Sequence, residues 1–197
     1  SVRRAPASDA MQLTQVLYGE SISVFERANG WAWVQLLNDG YVGYVEDAAL
    51  GPQQQKGNRR VATRSTHLYP KPDLKTQPAL PIPMNSILAI TGVDGEYLTL
   101  ANGQYVFSDH VTSAPLQDFV SVAEQFLHTP YLWGGKTVWG IDCSGLVQVA
   151  LHACGKTCLR DSDMQEQSLG QITSMRDLQR GDLVFWKGHV GIIQDSE

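Results

Sequence analysis

The chain has 197 residues, enough for one large domain or two to three small ones, and its 43% hydrophobic content can fill packed cores. A formal net charge of −5 with no basic run argues against a nucleic-acid binder, and no stretch is long and apolar enough to span a membrane. Three cysteines, all between Cys143 and Cys158, make no disulfide framework and fit a reducing compartment or a free reactive thiol. No secretory signal opens the sequence, and Ser1 in place of Met raises the expectation that a natural start has been removed. The acidic composition and the missing signal together favour the cytoplasm.

Residues 1–52 read as all-β. "TQVLYGE", "SISVFER", "WAWVQLL" and "YVGYVE" are short runs rich in β-branched and aromatic side chains. Asn29-Gly30 and Asp39-Gly40 separate them as hairpin turns, and strands this short and evenly spaced predict a small barrel. "GPQQQKGNRR" is polar and unpatterned and reads as a linker. Residues 58–113 repeat the theme. A Pro-rich loop, "THLYPKPDLKTQPALPIP", precedes strands in "SILAI", "YLTL" and "QYVF", with turns at Asp94-Gly95 and Asn102-Gly103. "NDGYVGYV" and "ANGQYVF" look like one closing hairpin used twice, so an internal duplication of the barrel is expected.

The pattern changes in residues 114–197. "LQDFVSVAEQFLH" places Leu116, Phe119, Val120, Ala123 and Leu127 at helical spacing. A loop dense in Gly and aromatics, "TPYLWGGKTVWG", leads into "GIDCSGLVQVALHACG". There Leu146, Val147, Ala150 and Cys154 form one stripe, Asp142 stands at the N-cap and Gly155 at the exit. "RDSDMQEQSLG" predicts a further helix, with Ser162 and Gln165 spaced as a capping box. "LQRGDLVFWKGHVGIIQ" predicts two strands joined at Lys187-Gly188. Helices followed by a sheet make this third domain α+β.

Cys143 would sit in the first turn of its helix, where free backbone N–H groups and the helix dipole favour a thiolate. A small buried residue is the plainer alternative for a cysteine there. Cys154 lies deeper on the stripe and reads as core. A cysteine nucleophile needs a base. His189 is the best placed, on a strand beside a turn, with Val190 and Ile192 alternating about it. A half-exposed strand histidine is the plain reading of it. His128 and His152 are weaker candidates. His152, Cys154 and Cys158 could be read as zinc ligands, but no fourth ligand stands nearby.

"PYLWGG", "DCSGLVQ", "RDS", "RGDLVFW" and "HVGI" occur in this order, and together they resemble the NlpC-type family of bacterial cell-wall cysteine peptidases. The resemblance covers the last eighty or so residues and implies a papain-like fold. The two upstream barrels resemble bacterial SH3-like domains, the first that of a subgroup cleaving short muropeptides. The expected fold is therefore two small SH3-like all-β barrels followed by an α+β papain-like cysteine peptidase domain.

Position by position, the resemblance implies Cys143 as nucleophile, His189 as general base and Tyr131 as an oxyanion partner beside the Cys143 N–H. It implies Ser144 and Asp161 as holders of the substrate's free amino end, with Arg160 orienting Asp161 and Glu20 reaching in from the first barrel. Tyr44 or Tyr41 could line the same wall. No metal or cofactor is implied. The expected substrate is a peptidoglycan-derived peptide such as L-Ala-γ-D-Glu-meso-diaminopimelate, cut at its γ-D-glutamyl bond. Two alternatives stay open: a secreted hydrolase of intact wall, and a catalytically dead wall-peptide-binding module. The family carries the residue that orients the base on the strand after "HVGI", so it is expected beyond Glu197; Asp195, six residues on from His189, is not expected to replace it.

Overall fold

The computed structural model describes residues 1–52 and 57–195. Residues 2–46 form one antiparallel sheet of β1 (Val2–Arg3), β2 (Gln12–Thr14), β3 (Ile22–Ala28), β4 (Trp31–Leu36) and β5 (Val42–Glu46), in spatial order β2-β1-β5-β4-β3. The two-residue period of a strand explains its core. β4 turns Ala32, Val34 and Leu36 inward, where they meet Val2 and Val45, and turns Trp31, Trp33 and Gln35 outward. Asn29 (φ 50°) and Gly30 (φ 80°) both adopt the left-handed conformation that a tight hairpin requires. The expected strand "TQVLYGE" is extended only at its start. The Glu20 carboxylate takes the Leu17 N–H (2.7 Å) and the Glu20 N–H returns to the Leu17 carbonyl (3.1 Å), which closes a turn instead.

The next unit contains β6 (Arg59–Val61), β7 (Ser65–Leu68), β8 (Leu80–Pro83), β9 (Ile87–Leu88), β10 (Ile90–Asp94), β11 (Tyr97–Leu100), β12 (Tyr105–Phe107) and β13 (Val111–Thr112). They make three small antiparallel sheets, β10-β11-β12, β13-β6-β9 and β7-β8, around a core of Val61, Leu68, Ile82, Leu88, Leu100 and Val106. The predicted Pro-rich loop is thus partly strand: β7 and β8 pair at its two ends. Thr66, Leu68 and Ile82 are buried there, and a two-stranded sheet leaves an open edge on which Pro81 and Pro83 need donate no N–H. Residues 53–56 of the expected linker lie outside the described residues.

The last unit holds α1 (Phe119–Glu124), β14 (Lys136–Thr137), β15 (Gly140–Ile141), α2 (Cys143–Ala153), α3 (Ser162–Ser168), β16 (Leu183–Trp186) and β17 (His189–Ile192). α1, β14, α3 and β17 all pack on α2. On one side Val149, Ala150 and Ala153 meet Val122, Ala123 and Phe126; on the other, Val147 and Leu151 meet Cys158 and Val190. This two-sided burial is wider than the predicted stripe, and Cys154 is only half-buried at its edge. The β16–β17 hairpin turns at Lys187-Gly188 as expected. The Ser162–Gln165 capping box does not form. Asp161 occupies the N-cap, and the fully buried Gln165 amide donates to the Ser144 and Leu159 carbonyls, both at 2.9 Å.

Both upstream units reach α2. Asn38 and Asp39 of the β4–β5 turn hydrogen-bond His152 (3.0 Å) and Gln148 (2.8 Å). From the middle unit, Asn85 donates to the Val149 carbonyl (2.9 Å) and Arg60 to the His152 carbonyl. That arginine satisfies part of the carbonyl end of the helix.

Candidate active site

Asp142 is extended (φ −100°, ψ 176°) and caps α2, accepting the Gly145 N–H on Oδ1 and the Gly134 N–H on Oδ2, both at 2.7 Å. Arg160, 1% exposed, closes on the same carboxylate at 2.8 Å and 3.1 Å. Its remaining donors go to Ser144 Oγ (2.9 Å) and, through Nε, to Thr14 Oγ1 of β2 (2.8 Å). A carboxylate at the N-cap would oppose a thiolate one residue on. The guanidinium neutralises that charge, so the helix N-terminus can still favour an anion at Cys143.

Cys143 is half-buried and packs on the cluster of Val147, Leu151, Cys158 and Val190. His189 opens β17, and the next residue, Val190, whose side chain leaves the opposite face of the strand, joins the cluster on which Cys143 packs. The indole of Trp186, the cross-strand partner of His189, meets the His189 ring edge-on, with centroids 4.8 Å apart and planes at 61°. Tyr131 bridges to Ile141, just ahead of the cysteine. Its hydroxyl is held above its ordinary pKa by partial burial, then by the nearby Cys143 and Asp142 charges. Asp195 lies beyond the end of β17.

The loop carrying Tyr131 is held from behind by the first unit. Gln12 donates to the Trp133 carbonyl (2.9 Å), and the Lys136 N–H donates to Gln15 Oε1 (2.7 Å). Gly134 (φ 72°) has no room for a side chain, since a Cβ would lie 2.9 Å from Gln12 Cγ. The Lys136 ammonium meets Glu20 Oε1 at 3.3 Å, with side-chain exposures of 2% and 9%.

These contacts redistribute the expected roles. Glu20 does come in from the first unit, but its carboxylate is already occupied by Lys136 and the Leu17 N–H. Arg160, expected to orient Asp161, is buried with its donors on Asp142, Ser144, Gly135 and Thr14. It therefore cannot touch a substrate. Ser144 is 6% exposed and its hydroxyl is tied to Arg160 and Asp142. Tyr44 stacks on Trp33, with centroids 4.8 Å apart. The aromatic that reaches the site is Tyr41, whose hydroxyl donates to Asp161 Oδ2 at 2.8 Å. Asp161 is half-buried, and burial raises its pKa against the opposing pulls of the Tyr41 hydrogen bond and the Arg160 charge.

His152 and Cys158 have other work. His152 accepts from Asn38 on Nδ1 and donates Nε2–H to the Cys158 carbonyl (3.1 Å), which fixes a neutral tautomer. Burial lowers its pKa to about 4, and burial pushes the Cys158 thiol up to about 12. His128 is exposed in a left-handed turn (φ 68°). Among the described residues, no group of three or more His, Cys, Asp or Glu converges as a metal site.

Sequence reasoning missed Lys136, Thr14 and Gln15. A charged residue directly after "WGG" was the one available hint, because a buried lysine needs a buried partner.

Residues 2–50 match the model described as a bacterial dipeptidyl-peptidase SH3 domain, and residues 128–197 match that of the NlpC/P60 family. Among curated proteins, the chain is 28% identical to dipeptidyl-peptidase 6 of Lysinibacillus sphaericus, over 95% of this chain and 78% of that protein. It is 26% identical to the gamma-D-glutamyl-L-lysine dipeptidyl-peptidase of Bacillus cereus, over 88% of this chain but only 59% of the relative's length. A solved NlpC/P60 family protein from Bacillus cereus superposes with a TM-score of 0.81 at 26% identity, covering 93% of this chain and 70% of that one. The chain carries a bacterial SH3-like domain followed by a papain-like peptidase domain of the NlpC/P60 family.

Proposed function

We propose that the chain is a cysteine peptidase acting on small peptidoglycan peptides, cutting between γ-D-glutamate and a diamino acid. The observation that carries this is the placement of Cys143 in the first turn of α2, with the His189-bearing strand packed on the same helix and Tyr131 bridged to Ile141 just ahead of the cysteine. The Cys143 sulfur attacks the amide carbonyl carbon. The Tyr131 hydroxyl and the Cys143 N–H take the developing oxyanion. His189 takes the Cys143 thiol proton and delivers it to the leaving amine as the C–N bond breaks; it then takes a proton from the water that attacks the thioester and returns it to the departing Cys143 sulfur. Asp161 and Tyr41 form the wall that receives a free N-terminal ammonium, which restricts the site to peptides released from glycan and suits a recycling role. The middle unit serves as a second SH3-like barrel that buttresses α2. Relatives named for γ-D-glutamyl-L-lysine cleavage support the bond chosen; meso-diaminopimelate is the diamino acid proposed here.

Incubation with L-Ala-γ-D-Glu-meso-diaminopimelate, read by mass spectrometry, should release L-Ala-D-Glu and free diaminopimelate. Cys143→Ala should abolish release, and iodoacetamide should label Cys143 as activity falls. An intact tripeptide, or turnover that survives Cys143→Ala, would overturn the assignment.

A further inference from the structure

The outward face of the first sheet carries a second feature that the catalytic reading does not use. Cross-strand register aligns Glu26 of β3, Trp33 of β4 and Tyr44 of β5 in one row, and Trp31 lies two residues from Trp33 on the same face. With Pro6 and Asn29, these side chains line a cavity of about 160 Å³. The Trp33 and Tyr44 rings, tilted at 55°, form two of its walls. Glu26 is exposed and has no hydrogen-bond or ion-pair partner among the described residues. Arg3, the next residue in the row, sends its guanidinium to the Ala10 carbonyl (2.6 Å).

Three aromatic rings around a small cavity leave their negative faces for a cation, and a free carboxylate at the rim adds charge complementarity. Guanidinium would be served by a flat stacking slot and a bidentate acceptor; tilted walls with a single carboxylate suit a compact ammonium on an aliphatic stem. We propose that this face binds the side-chain ammonium of a diamino acid in a peptide, so that the first barrel holds a peptide at a second place. The lining shares no residue with the cysteine site and does not depend on its chemistry.

The test uses the full chain with Cys143→Ala, so that nothing is turned over. Indole N–H signals of its five tryptophans are followed by NMR during titration with Nα-acetyl-lysine amide and with its Nε-acetylated twin. Trp31→Phe and Trp33→Phe assign the two relevant signals. Saturable movement of those two by the charged probe is expected, weakened about fivefold or more by Nε-acetylation and by Glu26→Gln. The surface position of Glu26 keeps that variant folded. No movement, equal movement by both probes, or movement confined to Trp133, Trp139 and Trp186 would overturn the proposal.

Discussion

Arg160→Met removes a buried guanidinium while keeping much of its volume. In the native protein that group binds both oxygens of Asp142, the Ser144 hydroxyl and Thr14 of the first unit. Without it the Asp142 carboxylate, 8% exposed at its side chain, keeps the Gly134 and Gly145 N–H groups and a long contact from the Ser144 hydroxyl, none of them charged. Breaking one partner of such a buried pair costs about 3–5 kcal/mol, because the other charge is left uncompensated. At about 2–4 °C per kcal/mol for a chain of this size, the thermal midpoint should fall by roughly 6–20 °C. Arg160→Met with Asp142→Asn should recover part of the loss, since neither charge is then buried alone. Thermal unfolding by circular dichroism measures both variants. A loss below about 1 kcal/mol for the single variant, typical of an exposed ion pair, would refute the argument.

Glu20→Gln strands the buried Lys136 ammonium and should cost about 3 kcal/mol in urea unfolding, with partial recovery when Lys136→Met is added. His152 gives a pH signature. Its folded pKa of about 4 lies below the unfolded value of 6.5, so the unfolded state takes up the proton first as pH falls. Its contribution is complete above pH 6.5 and is lost between there and about pH 4, roughly 3 kcal/mol in all. Stability curves for His152→Gln should lack that component across the same window. Tyr41→Phe deletes a hydrogen bond that stabilises the Asp161 carboxylate and so should raise its pKa further. Binding of a free ammonium then fails at higher pH, which should appear as an upward shift of the acid limb of kcat/KM.

Local pattern carried the elements whose formation depends on near neighbours. The Asp142 cap, the left-handed Gly155, the Asn29-Gly30 hairpin and the Lys187-Gly188 turn all follow from residues within a few positions of each other. The misread pieces are those in which a distant partner decides. Gln165 leaves its capping-box geometry for carbonyls at Ser144 and Leu159. "TQVLYGE" bends because Glu20 caps Leu17. β7 and β8 emerge from a Pro-rich segment because Thr66, Leu68 and Ile82 have a core to enter. At the candidate site, Cys143, His189, Tyr131 and Asp161 are proposed from motifs. Lys136–Glu20 and Arg160–Thr14 span 116 and 146 residues, and no local spacing announces such pairs.

The most direct test of the account compares L-Ala-γ-D-Glu-meso-diaminopimelate with its N-acetylated twin, using kcat/KM from mass-spectrometric product release and Cys143→Ala as control. A charged hydrogen bond to Asp161 is worth about 1.5–3 kcal/mol, so acetylation should lower kcat/KM by roughly tenfold to more than a hundredfold. Cleavage of both peptides at similar rates would contradict the ammonium wall at Asp161 and Tyr41. Cleavage of neither would contradict the catalytic assignment itself.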